Sequence, residues 1–126
     1  MTIALWCVLI AAILPLVATA VAKFVGTSER YDNRDPRAFL ERQQGLSRRA
    51  DNAQKNGFEA FPFFAAGVIV AQMLQAQQAQ VDAAAVTFIV ARLAYLVAYL
   101  SDMPGLRSVV WTVGWLCCVI LFLLGA

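Results

Sequence analysis

Residues 81–100 read VDAAAVTFIVARLAYLVAYL, an apolar run with a single arginine, Arg92, near its middle. The run has about the 20 residues that a helix needs to cross the hydrocarbon core of a bilayer. An arginine at the centre of such a helix costs roughly 2.5–3.5 kcal/mol on insertion scales, so it is expected to face protein or water and to have a partner. Three further apolar runs surround this one: Thr2 to Val25, Phe58 to about Leu74, and Leu106 to Leu124. With 61% hydrophobic residues, 14% charged residues and a mean hydropathy of +0.68, the 126-residue chain is too apolar for an ordinary soluble domain.

These runs predict an all-α membrane protein, a single domain (1–126) built as a four-transmembrane-helix bundle. The expected helices cover about 2–25, 48–75, 81–101 and 104–125, with a long connection at 26–47. Ala18-Thr19-Ala20 and Ala20-Val21-Ala22 resemble signal-peptide cleavage sites. However, no Lys or Arg precedes the first run, and the run is longer than a 7–15-residue signal core, so we read it as a span. Pro15 and Pro62 fall inside the first and second helices, where they are expected to introduce kinks. Eight of the ten basic residues lie between Lys23 and Lys55. The positive-inside rule then makes the 26–47 connection cytoplasmic and puts the N- and C-termini on the non-cytoplasmic side. The net charge of +2 gives no reason to expect a nucleic-acid partner.

Local signals refine the helix ends. Asp35-Pro36 reads as an N-cap and first helical residue, opening a short helix that Gly45 should stop. Asp102 with Pro104 gives a similar start for the last helix. Cys7, Cys117 and Cys118 all lie in apolar runs and read as small buried hydrophobes, not as a disulfide pair. With no His and no carboxylate cluster, the expectation for metal is none.

Three polar stripes interrupt the apolar pattern. Arg49, Asn52, Asn56 and Glu59 recur at helical spacing along one face of the second helix, with Lys55 beside them. A solvated helix end accounts for Arg48 and Asp51. It does not account for Glu59, which lies about 17 Å beyond Arg48 and precedes an apolar stretch. Arg92, Tyr95 and Tyr99 form the second stripe, with Arg92 about 13 Å from the end of its helix. We therefore expect a Glu59–Arg92 ion pair between the second and third helices. Arg107, Ser108 and Trp111 open the fourth helix; alone they read equally well as an interfacial anchor. Together the stripes form a positive pocket with Asn and Tyr hydrogen-bonding groups, suited to a small anionic ligand beside a lipid-soluble one.

At these residues the sequence resembles the MAPEG family, the membrane-associated proteins in eicosanoid and glutathione metabolism. The family's second-helix signature, Arg-Ala-His-x-Asn-x-x-Glu followed closely by Pro-Phe, is matched by Asn52-Ala53-Gln54-Lys55-Asn56-Gly57-Phe58-Glu59 and then Pro62-Phe63. Its third-helix signature, Arg-x-x-His-x-x-Ala-Tyr-Leu, is matched by Arg92 to Leu100, and its helix-four Arg-Ser by Arg107-Ser108. The resemblance implies a homotrimer with glutathione bound between protomers near the cytoplasmic face. It also implies glutathione-site roles for Asn56, Glu59, Arg92, Tyr99, Arg107 and Ser108, with Lys55 keeping a positive charge that several members have.

The chain departs from the pattern at Asn52, where the family has Arg, at Gln54 and Tyr95, where it has His, and at Trp111, where eicosanoid-forming members have Tyr. Trp can donate a hydrogen bond but cannot ionise. If the protein is an enzyme, Arg107 and Ser108 are the expected catalytic pair. Arg49, Asn52, Lys55, Asn56, Glu59, Arg92, Tyr95, Tyr99 and Trp111 are the expected binding residues for glutathione as co-substrate. A lipophilic electrophile or hydroperoxide would arrive from the membrane lipids. The alternative is a non-catalytic protein that binds lipid or serves as an accessory subunit, with Arg30 to Arg48 as its contact. The short chain suits a bacterial inner membrane.

Overall fold

The computed structural model describes residues 1–126 and is helical throughout, without strands. Helix α1 spans Ile3–Ala20 and continues as a π-helical turn, Val21–Val25. A short α2 (Pro36–Glu41) follows, and then α3 (Gly45–Met73), α4 (Gln78–Leu100) and α5 (Pro104–Leu124). Three of these are long and apolar enough to cross a membrane: Ile3–Val25, Gln78–Leu100 and Pro104–Leu124. The fourth long helix, α3, is polar over its first half, through Glu59, and apolar from Ala60 to Ala71.

The helix ends have identifiable causes. The Thr2 side chain accepts from the Leu5 amide, and Asp82 on α4 accepts from the Ala4 amide at 2.8 Å, so two orphan donors of α1 are satisfied. Asp35 caps α2 by accepting from the Ala38 amide, with Pro36 as the first helical residue. Gly45 does not stop that helix, which already ends at Glu41; it opens α3 instead, with φ at +60°. Glycine carries the chain through this left-handed turn without the steric cost of a Cβ. Consequently α3 begins a turn before Arg48. Asp102 likewise caps nothing: it sits at φ +57° in the turn after α4, and Met103 precedes the Pro104 that opens α5.

Small residues bring the helices close together. A Cβ on Gly57 of α3 would lie 2.8 Å from Cγ of Pro15 on α1, and one on Gly67 would lie 3.1 Å from Cβ of Leu121 on α5. Both prolines lie inside uninterrupted helices. The bundle's largest buried cluster centres on Phe64 and Phe88, whose rings stack at 3.9 Å. A second cluster packs Phe39 and Leu40 of α2 against Ala22 and Ala50, fixing the 26–47 connection onto the end of the bundle. Gly26 is part of that joint, because a Cβ there would meet the Ser47 backbone at 2.6 Å, while Ser47 Oγ donates to the Ala22 carbonyl. Outside, Trp6, Leu9, Ile13 and Leu16 on α1 and Val90, Leu93 and Val97 on α4 are exposed, an apolar surface that belongs against lipid or further protein.

Candidate functional site

Arg92 is nearly buried, 9% exposed, and its partner is not the expected one. Its Nη1 donates to Asn56 Oδ1 at 2.9 Å, and its guanidinium lies over the Tyr95 ring, 4.2 Å from the centroid. The charge is thus held by an amide and an aromatic face. Glu59 forms no ion pair; its helix turn presents it to the outside of the chain, where it is exposed. The expected Glu59–Arg92 bridge is therefore corrected to an Arg92–Asn56 hydrogen bond. Glu59 follows Asn56 by almost a full turn on the same side of α3, so it lies further along the helix and stays exposed while Asn56 meets Arg92.

Tyr95 and Tyr99 meet edge to face at 5.7 Å, and Arg107 lies over Tyr99 with 4.4 Å between guanidinium carbon and ring centroid. A ladder of two rings between two cations results: Arg92, Tyr95, Tyr99, Arg107. Cation–π contacts of this kind contribute about 0.5–2 kcal/mol each, more where water is excluded. At the outer end of the ladder is an open cleft lined by Asn56, Tyr95, Tyr99, Arg107, Ser108, Trp111 and Thr112. Its lining contains one formal charge, the Arg107 cation, and no carboxylate. Ser108 Oγ donates to the Pro104 carbonyl at 3.1 Å and is exposed on the cleft side. A deeper chamber of about 240 Å³ adjoins it, sharing Asn56 and Trp111 and adding Glu59, Phe63, Arg92 and Trp115.

Of the eleven expected site residues, eight line one or both cavities: Asn56, Glu59, Arg92, Tyr95, Tyr99, Arg107, Ser108 and Trp111. The other three lie elsewhere. Lys55 pairs with Asp51 at 2.7 Å, so its charge is already compensated within its own helix. Arg49 donates through Nη2 to the Leu100 carbonyl at 3.2 Å, clamping α3 to the C-terminal end of α4, and its buried Nε has no partner in the chain. Asn52 is half-buried and lines neither cavity.

Two features escaped the sequence. Asp51, read as part of a solvated helix end, is 3% exposed. It accepts from Lys55 and from Gln54 Nε2, while Gln54 Oε1 meets the Thr19 hydroxyl of α1. The i, i+4 spacing of Asp51 and Lys55 carried that signal. Trp115, one turn beyond Trp111, was read only as part of an apolar run, and Phe63 only as part of the Pro62-Phe63 that follows the second-helix signature; both line the deeper chamber.

Two arginines of the basic connection, Arg34 and Arg42, are paired within it. Arg42 Nη2 meets Glu29 Oε1 at 2.7 Å, and Gln43 Nε2 donates to Glu29 Oε2 at 2.8 Å. Hydrogen bonds from Arg42 and then Gln43 hold the Glu29 carboxyl below its ordinary value, and Arg34 does the same for Asp32.

No group of His, Cys, Asp or Glu is placed to hold a metal ion. Neither the curated proteins nor the solved structures include a match to this chain. The family model described as MAPEG family matches residues 3–126, essentially the whole sequence, which accords with the four long helices and the polar site between them. The chain belongs to the MAPEG family, as an integral membrane protein of the group associated with glutathione and eicosanoid metabolism.

Proposed function

We propose that the protein is a membrane glutathione transferase that joins the tripeptide's sulfur to lipophilic electrophiles or uses it to reduce hydroperoxides. The observation that carries this reading is the cleft in which Arg107, stacked on Tyr99 and beside Ser108, is the one formal charge. Glutathione is a net anion, and a thiol with a pKa of about 8.5 is mostly protonated at pH 7. A guanidinium beside the sulfur favours the thiolate, and the Ser108 hydroxyl can turn from the Pro104 carbonyl to donate to it. Asn56 and Tyr99 offer an amide and a phenol to the peptide backbone, and Trp111 offers a ring N–H where a Tyr would offer a hydroxyl.

Arg49, Asn52 and Lys55 lie outside the cleft of a single chain. They remain binding candidates only where a neighbouring copy completes the site, as in the proposed homotrimer. The bilayer supplies the second substrate through the apolar exterior. In the proposed orientation the 26–47 connection faces the cytoplasm of a bacterial inner membrane, with both termini on the other side.

The test is glutathione binding by the purified protein, followed by conjugation with a generic aryl halide. Binding with turnover supports the transferase. Binding without turnover reassigns the protein to a non-catalytic ligand-binding role, and no binding reassigns it to an accessory role.

A further inference from the structure

Arg92 stands between two cavities. The deeper chamber lies toward α5, and on the α1 side there is a smaller cavity of about 20 Å³ between α1, α3 and α4. A site for one water needs about 10–15 Å³, so this space fits a single water and no larger ligand. Its lining is mostly apolar, and only Arg92 and Tyr95 bring polar side chains to it. Arg92 is 9% exposed and bonds within the chain to Asn56 alone, so guanidinium donors remain without a protein acceptor. Asn56 does not border this cavity.

The matching acceptor comes from the backbone. Pro15 lies inside α1 and has no N–H, so the carbonyl four residues earlier, on Ala11, loses its regular helical donor. Ala11 and Pro15 are both buried and both line the cavity, which places this gap in the hydrogen-bond ladder at its edge. Thr19, the one hydroxyl residue of α1, is engaged elsewhere: it donates to the Pro15 carbonyl at 2.9 Å and meets Gln54. Inside a membrane, a carbonyl freed by proline is satisfied by a neighbouring helix, by Ser or Thr, or by an ordered water.

We propose that this cavity is a binding site for one water molecule, which accepts a hydrogen bond from Arg92 and donates one to the Ala11 carbonyl. A small anion would suit Arg92 but would face the negative end of the carbonyl, whereas water serves both groups at once. The bridge gives Arg92 a second fixed partner, opposite the amide of Asn56, and ties α1 to the polar site between α3, α4 and α5. Ala11 and Pro15 are therefore positioning residues that act on Arg92 through the water. The proposal does not depend on which ligand the cleft binds.

The test is solid-state NMR of the full-length protein in lipid bilayers, reading polarisation transfer from water protons to the Ala11 carbonyl carbon. That carbon is the decisive reporter, because Arg92 also borders the chamber on its other side. The reference is the carbonyl of Ala85, fully buried in the regular stretch of α4. Transfer to Ala11 is expected to be at least threefold stronger than to Ala85. Pro15→Ala restores the N–H that closes the helical bond, and Ala18→Val fills the cavity from the same helix. Each should bring the Ala11 transfer down to the Ala85 level and move the guanidinium nitrogen shifts of Arg92. Wild-type transfer no stronger at Ala11 than at Ala85, or transfer unchanged in both variants, overturns the water site. Loss of transfer with unmoved Arg92 shifts overturns the positioning role.

Discussion

Replacing Asn56 by Ala removes the hydrogen bond that holds the most buried cation of the bundle. The 2.9 Å contact to Arg92 Nη1 involves a charged donor, and bonds of that class contribute about 1.5–3 kcal/mol. Because Arg92 is only 9% exposed, the guanidinium left behind cannot recover this by full hydration, which pushes the expected loss to the upper part of that range. The Tyr95 face remains and keeps the helix from unfolding outright. Glu59→Gln provides the contrast: that carboxylate is exposed and hydrogen-bonds to nothing, so its neutralisation should change stability by no more than about 0.5 kcal/mol. Both variants are to be followed by equilibrium unfolding in mixed micelles, read by circular dichroism. A loss for Glu59→Gln equal to that for Asn56→Ala would refute the assignment of Arg92's partner and restore the ion pair suggested by the sequence.

Three other perturbations follow from the packing and the surface charges. Gly57→Ala puts a Cβ 2.8 Å from the rigid Pro15 ring, so α1 and α3 must separate; the same unfolding assay should show a loss of about 1–3 kcal/mol. Asp82→Ala removes the acceptor for the Ala4 amide and the Gln78 side chain, costing about 0.5–2 kcal/mol and raising hydrogen exchange in the first turn of α1. Glu29 titrates below its ordinary value, so its contribution to the order of the 26–47 connection is present above that ordinary value. It is lost as pH falls through the lowered one. Limited proteolysis should therefore find the connection protected at pH 7 and opened in acid, and Glu29→Gln should be open at both.

The sequence was most legible where periodicity and cost coincide. Residues 81–100 declared a membrane helix, and the price of burying Arg92 announced a polar site inside it. The stripes on α3, α4 and α5 converge because each runs along one helical face, a property that spacing alone conveys. Which donor meets which acceptor was not legible. Asn56 and Glu59 lie three residues apart on one stripe, and only the way α3 and α4 pack decides that the amide, not the carboxylate, bonds to Arg92. Gly45 shows the same limit at the backbone: a glycine after a short helix serves equally as a stop or as the left-handed hinge that starts the next one. Asp51 was misread because a carboxylate in a run of charges looks solvated, and its burial depends on α1 lying across it through Thr19 and Gln54. The chamber was invisible for another reason: its walls are drawn from three helices, α3, α4 and α5.

The central claim is that Arg107 holds glutathione's sulfur as a thiolate in the cleft beside Tyr99. Ultraviolet difference absorbance of the thiolate, recorded as glutathione is titrated into the wild-type protein and into Arg107→Ala, tests it most directly. A saturable thiolate band at pH 7 in the wild type, absent from Arg107→Ala at the same oligomeric state, is the predicted result. A band of equal size in both proteins would contradict it.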